Sequence, residues 1–291
     1  MFRPLLVAAL VTVAATPVLA APRDPATWTA ASKARAAPLF AAIAGTQRSD
    51  ANKARDQYRH PAETLNFFQL KPGMTVVEIS PGGGWYTEIL APYLHDKGRF
   101  YVAYNDPDAG PQSAASLDRF KTKLAANPAV FGNVQITAFG KGRYDIAPAG
   151  SADAVLTFRN VHNWYQAGFA PEAFKAFFAA LKDGGVLGIE EHRLPEDRPD
   201  DMMKSSGYMK VSYIKKLAAD AGFTFVAASE INANPKDTHD YPDGVWTLPP
   251  TYQLGDKDKA KYAAIGESDR MTLLFMKGGK GGGSKCRAGC G

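Results

Sequence analysis

The chain has 291 residues, 45% of them hydrophobic and 22% charged, with a formal net charge of +5. That composition excludes intrinsic disorder, a collagen-like repeat and a coiled coil, and it allows one large domain or two small ones with a full core. The basic excess lies at the ends: Arg3 supplies one charge and Lys277, Lys280, Lys285 and Arg287 supply four, which leaves residues 4 to 276 neutral, so no nucleic-acid partner is expected for the folded body.

In chain order, Arg3 precedes an apolar run over residues 5–15, Pro17 breaks it, and Val18-Leu19-Ala20 offers small residues for cleavage. This predicts a secretory signal peptide over residues 1–20, with a buried N-terminal helix as the alternative. The run is too short for the roughly 20 apolar residues of a membrane span, and no cysteine follows it to accept a lipid. An exported, periplasmic, soluble protein is therefore expected, with one domain over residues 21–277 and a flexible tail over 278–291. The only cysteines, Cys286 and Cys290, lie in that tail. They would close a small disulfide or bind a soft metal weakly, or the tail is a bland extension.

Residues 29–70 are rich in alanine and charge, with apolar spacing such as Leu39, Phe40 and Ile43, then Leu65, Phe67 and Phe68. The spacing predicts two or three helices, broken at His60-Pro61 because the residue before proline disfavours helix. Lys71-Pro72-Gly73 reads as a turn, and residues 75–79 (TVVEI) as a strand of the kind buried in a parallel sheet. A helix over about 85–94 follows. The alternation then repeats, with strands over 100–104, 134–139, 154–158 and 186–190 and helices over 113–126, 169–181 and 208–221. Late strands over 223–227 and 271–276 have no clear helix between them, only a long loop over 232–267. Together these predict a doubly wound, Rossmann-like α/β sheet, mostly parallel, with N-terminal helices and an antiparallel edge hairpin.

The most informative stretch is Glu78-Ile79-Ser80-Pro81-Gly82-Gly83-Gly84-Trp85-Tyr86-Thr87, between the first strand and a helix, where glycines let backbone approach a ligand. A dinucleotide fingerprint requires a small residue where Thr87 stands, which disfavours a nicotinamide oxidoreductase. An acidic strand end followed by glycines resembles motif I of the class I S-adenosylmethionine-dependent methyltransferases, with Ser80 in place of the first glycine. The resemblance extends through RHPAETLNFFQLKPGMTVVEISPGGGWYTEILAPYL, ADAVLTFRNVHNWY, GGVLGIEEHR, SEINANPKDTHDYPDGVWTLPP and GESDRMTLLF. Over about residues 55–276 the chain is similar to the exported, predicted methyltransferases of proteobacteria.

That resemblance implies methyl transfer from S-adenosylmethionine to a small or medium acceptor, and implies site residues. Gly82, Gly83 and Gly84 would line the amino-acid part of the cofactor together with Ser80. Glu78 would orient the loop or reach the cofactor's ammonium through water. Asn105 or Asp106, at the end of the second strand, would take the ribose hydroxyls. Asp145 would contact the adenine or lie in a surface loop. After the fourth strand, Arg159, Asn160 and His162 would converge on the methyl donor, because carboxyl ends of parallel strands face the ligand crevice. His162 is the candidate base, and Arg159 would bind an acidic substrate or Glu78; alternatively Asn160 and His162 only cap the next helix. Glu190-Glu191-His192-Arg193 makes a second polar cluster or a set of surface pairs. His60, which follows Arg59, and Asp56 would fold over the cofactor or form a solvated helix end, and Asp269-Arg270 reads as a structural ion pair. No H-x-x-x-H or paired C-x-x-C spacing supports a metal site. An exported accessory protein that keeps the fold without turnover is the competing expectation.

Overall fold

The structure is a computed structural model that describes residues 28–278. The leader expected over residues 1–20 and the tail cysteines Cys286 and Cys290 lie outside the described residues.

The sheet is built from β1 (Thr75–Ile79), β2 (Arg99–Asn105), β3 (Val134–Phe139), β4 (Ala152–Phe158), β5 (Leu181–Leu194), β7 (Phe223–Ser229) and β8 (Arg270–Lys277), in the order β3-β2-β1-β4-β5-β8-β7. A short β6 (Met209–Lys210) pairs with the far end of β5. β1 through β5 pair in parallel, and β8 runs antiparallel to both β5 and β7. The expected edge hairpin is therefore present, with its second strand inserted between β5 and β7.

Side chains alternate across a strand, so adjacent valines of β1 serve opposite faces. Val76 packs with Leu65, Phe68, Ile89 and Phe120 beneath α1 (Ala30–Ala44), α4 (Pro61–Phe67), α5 (Thr87–Leu94) and α6 (Pro111–Ala125). Val77 packs with Val161, Phe174, Phe177 and Ile214 beneath α8 (Val161–Gln166), α9 (Ala170–Ala180) and α11 (Val211–Asp220). A fully buried strand on both faces explains why TVVEI reads as an apolar run rather than an alternating one. Gly188 of β5 lets the N-terminal helices lie close to the sheet, since a Cβ there would stand 2.7 Å from the Phe68 ring.

Between α1 and α4 the chain makes two single-turn helices, α2 (Asp50–Lys53) and α3 (Asp56–Arg59). His60 breaks the path at a left-handed φ of 40°, and Pro61 starts α4. Three boundaries differ from expectation. β5 runs on to Leu194 because β8 pairs with it as far as His192. The helix expected from 208 begins at Val211, because Met209 and Lys210 pair with Arg193 and Leu194 first. The loop over 232–267 holds a 3-10 turn at Gly244–Thr247 and a helix, α12 (Lys259–Ile265).

Candidate functional site: two cavities that meet at Asn163

The chain leaves β1 through Ser80, Gly82 and Gly84, all at left-handed φ (49°, 58° and 80°). A Cβ on Gly82 or Gly83 would enter open space, whereas one on Gly84 would come within 2.9 Å of the Phe120 ring. The loop thus needs glycine for conformation at Gly82 and for conformation and packing at Gly84. Ser80 prolongs the β1–β2 ladder by donating its backbone N–H to Ala103 (2.9 Å), while its hydroxyl is buried with no partner among the described residues. A buried hydroxyl without a partner is a costly arrangement unless a ligand completes it.

Ser80 opens onto a cavity of about 700 Å³ across the carboxyl ends of β1 to β4, which Asn105, Asp106, Phe139, Gly140, Lys141, Asn160, Asn163 and Trp164 also line. This is the topological switch point of the sheet, where parallel α/β folds bind their ligands. The Asn160 amide donates to the carbonyls of Ile79 (3.1 Å) and Ser80 (3.2 Å), so it ties the end of β4 to the glycine loop. Its side chain makes no helix cap. Asn105 stands at the cavity rim, and the Asp106 carboxylate already accepts from the Asp108 N–H and from Arg143 (both 3.1 Å).

Several expectations are corrected. Gly82 and Gly83 face a neighbouring cavity beside Tyr104 and Lys123, because the chain has turned at Ser80 before reaching them. Glu78 is sealed under α5, where Thr87 Oγ1 donates to its Oε2 at 2.6 Å, so it organises the loop and cannot reach a ligand's ammonium. Burial raises its pKa to about 7, against the lowering effects of Thr87, Lys123 and Arg159. Asp145 is exposed and lies outside the large cavity, because the Gly140–Arg143 bridge turns the chain away and leaves Phe139, Gly140 and Lys141 as the lining.

A second cavity, of about 320 Å³, shares Asn163 with the first. Its floor is His162 in α8. Glu191 Oε2 accepts from the backbone N–H groups of Val161 (2.6 Å) and His162 (3.4 Å), and Oε1 accepts from the His192 N–H (2.9 Å). A carboxylate so placed receives His162 Nδ1 at 2.9 Å as a further donor, and this assigns the lone pair of the ring to Nε2. His192 has the opposite arrangement. Ser268 Oγ accepts from Arg270 Nε (3.3 Å) and lies 2.6 Å from His192 Nδ1; donation of the Ser268 hydroxyl to Nδ1 would leave the ring hydrogen on Nε2. Burial, then the nearby His162 and Arg270, push the His192 pKa well down and hold the ring neutral. An acceptor nitrogen and a donor nitrogen therefore sit on rings whose centroids are 5.3 Å apart.

Arg159, at a left-handed φ of 60°, donates its backbone N–H to the Glu190 carbonyl (2.7 Å) and its Nη1 to the Glu190 carboxylate (2.7 Å). Its partner is thus Glu190, not Glu78. Glu190 and Glu191 are fully buried, so the cluster is not a set of surface pairs. Asp269 and Arg270 also have separate partners: Asp269 binds Arg193, and Arg270 binds Glu267 and Glu190. Of the N-terminal candidates, Asp56 pairs with Arg48 and neither it nor His60 lines this cavity; Arg59, which sequence reading did not single out, does. Sequence reading did not foresee Arg55, Trp246, Glu267 or Ser268 here. They lie in or beside segments similar to the predicted methyltransferases, which was the one signal available. His162, Glu191 and His192 also bring potential ligand atoms within 4.8 Å of one another, a grouping that no sequence spacing reveals.

No protein-family model matches the chain. A protein-L-isoaspartate O-methyltransferase of Pyrococcus horikoshii is 25% identical over 149 residues, which is 50% of this chain. The match spans 58% of that relative's own length. Among solved structures, an S-adenosylmethionine-dependent methyltransferase of Aquifex aeolicus superposes with a TM-score of 0.50 at 16% identity, covering 77% of this chain and 92% of the other. The 4+2 cyclase SpnF superposes with a TM-score of 0.51 at 16% identity, covering 84% and 93%. One fold serving a methyltransferase and a cyclase leaves the reaction to be argued from the cavities. The topology, the glycine loop and these likenesses agree that the chain has the class I S-adenosylmethionine-dependent methyltransferase fold.

Proposed function

We propose that the protein transfers a methyl group from S-adenosylmethionine, held in the large cavity, to an acceptor held in the smaller one. The carrying observation is that a cavity at the sheet switch point and one lined by an oriented histidine share Asn163 in their walls. The residues of the large cavity fit the cofactor: Ser80 Oγ offers an unused hydrogen-bonding group and Asn105 presents an amide at the rim. When bound, S-adenosylmethionine supplies an electrophilic methyl group on a sulfonium, whose sulfur departs with the bonding pair as a neutral thioether.

This chain then has two tasks. Asn160 holds the ends of β1 and β4 together so that the donor is aligned with the acceptor, an entropic contribution. His162 Nε2 takes the proton that the acceptor's nucleophile releases as the new bond forms, and Glu191 stabilises the imidazolium through Nδ1. His192 Nε2–H supplies a donor to orient the acceptor. The leader-like residues 1–20 support export to the periplasm, which fractionation of the producing cell would test.

S-adenosylhomocysteine should bind the purified protein in a calorimetric titration. His162→Gln should lower labelled methyl transfer into a small-molecule extract by about 10²- to 10⁴-fold and leave that affinity unchanged. Undiminished transfer would remove His162 from the chemistry, and no binding of S-adenosylhomocysteine would sink the proposal.

A further inference from the structure

The smaller cavity carries more positive charge than proton transfer requires. Four guanidinium groups line it, those of Arg55, Arg59, Arg159 and Arg270. Among the described residues, Glu190 and Glu267 alone form ion pairs with them. Glu191 is turned onto backbone amides and His162, and even with its charge counted the balance stays positive.

The hydrogen bonds show where the excess lies. Arg270 engages all three of its nitrogens, with Glu267, Glu190, Ser268 and the Tyr58 carbonyl. Arg55 donates only Nε, to Glu267 (2.6 Å), and its Nη2 is buried with no partner among the described residues. Arg59 donates only Nε, to the same carboxylate (3.2 Å), and its guanidinium lies over the Trp85 ring at 4.7 Å, which fixes its plane. Neither terminal nitrogen of Arg59 has a hydrogen-bond partner among the described residues. Burial, then Arg159, lower the Arg59 pKa well below its usual value, and a bound anion would relieve that cost.

We propose that this cavity is an oxyanion site, which grips the acceptor by a carboxylate or phosphate group set between the free guanidinium edges of Arg55 and Arg59, with Arg159 at the side. The acceptor's identity as a methyl acceptor rests on the preceding reading; the anion site itself does not. Planar guanidinium forks match both groups in a bidentate manner, which a lysine would not. The anchored group places the rest of the molecule toward His162, His192 and Asn163, where the two cavities meet. A divalent cation on His162, Glu191 and His192 is the competing occupant. It is disfavoured because Glu191 already accepts from three backbone N–H groups and lies against His162 Nδ1, and Arg159 and Arg270 stand nearby.

The test is calorimetric titration of the purified protein with malonate and with inorganic phosphate. At least one should bind, and Arg55→Gln and Arg59→Gln should each weaken it about tenfold or more. S-adenosylhomocysteine affinity should stay unchanged in both variants. The anion with the larger loss identifies the group. Arg59 is buried and Arg55 is 24% exposed, so if Arg59→Gln fails to fold, Arg55→Gln still decides the matter. Overturning results are binding of neither anion, affinity untouched by both substitutions, or stoichiometric Zn²⁺ retained by the protein and lost in His192→Gln. Malonate or phosphate binding without S-adenosylhomocysteine binding would uphold the anion site while ending the methyl-donor reading.

Discussion

Glu78 and Glu190 lie on parallel strands two positions apart in the sheet, Glu190 two residues further toward the carboxyl end than the residue level with Glu78, and both are fully buried. Their surroundings differ. Glu78 meets a threonine hydroxyl, and burial drives its pKa up to about 7. For Glu190 burial also pushes upward, but Arg159, Arg270 and Arg59 outweigh it and hold the pKa below the usual carboxylate range. Tyr86 adds a hydroxyl donor at 3.0 Å. The counterion, rather than burial, decides the charge, and it divides the crevice into a nearly neutral half over β1 and an ionic half over β5.

The contrast breaks most sharply at Glu190. Glu190→Gln would leave Arg159 and Arg270 buried with one carboxylate fewer, at a cost of about 3–5 kcal/mol in urea unfolding. A loss under about 1 kcal/mol would mean that the arginines do not depend on it. Glu78 should show the reverse sign. Its folded pKa lies above its ordinary 4.5, so the folded state binds the proton more tightly, and stability falls as pH rises from 4.5 to about 7. Glu78→Gln should flatten that window and stabilise the protein at pH 8 by on the order of 3 kcal/mol. Parallel pH–stability curves for the two proteins would contradict the raised pKa. Glu190 and Glu267, both held low, contribute stability above the usual carboxylate range that is lost as pH falls below it. The smallest effect belongs to Ser80→Ala. Unfolding should shift by no more than about 0.5 kcal/mol, since the hydroxyl has no protein partner, while S-adenosylhomocysteine binding should weaken by about 1 kcal/mol. Unchanged binding would mean that the hydroxyl does not serve the ligand.

The fold was legible because its strands are continuous apolar runs ending in glycine or polar residues, a pattern that only a covered parallel sheet satisfies. Ser80, Asn105 and Asn160 were legible for the same reason, since each immediately follows or ends a strand and so must face the crevice. Between the two expectations for Asp145 the surface loop fits, because the bridge between Gly140 and Arg143 reverses the chain, and local spacing does not encode that. The ionic cavity was the least legible. Arg55 and Glu267 are 212 residues apart, and their pairing depends on how α2, α3 and the segment before β8 pack, not on any motif. Asp269-Arg270 misled for a related reason: Asp269, just before β8, and Arg270, its first residue, find different partners.

The insertion of β8 between β5 and β7 has a consequence for biosynthesis. Everything that forms the large cavity lies between residues 80 and 169, whereas the ionic cavity needs Glu267 and Arg270, which enter the sheet with its last strand. A chain emerging from the ribosome completes the first chamber long before the second. Until that final segment arrives, Arg55 and Arg59 lack the carboxylate that holds them.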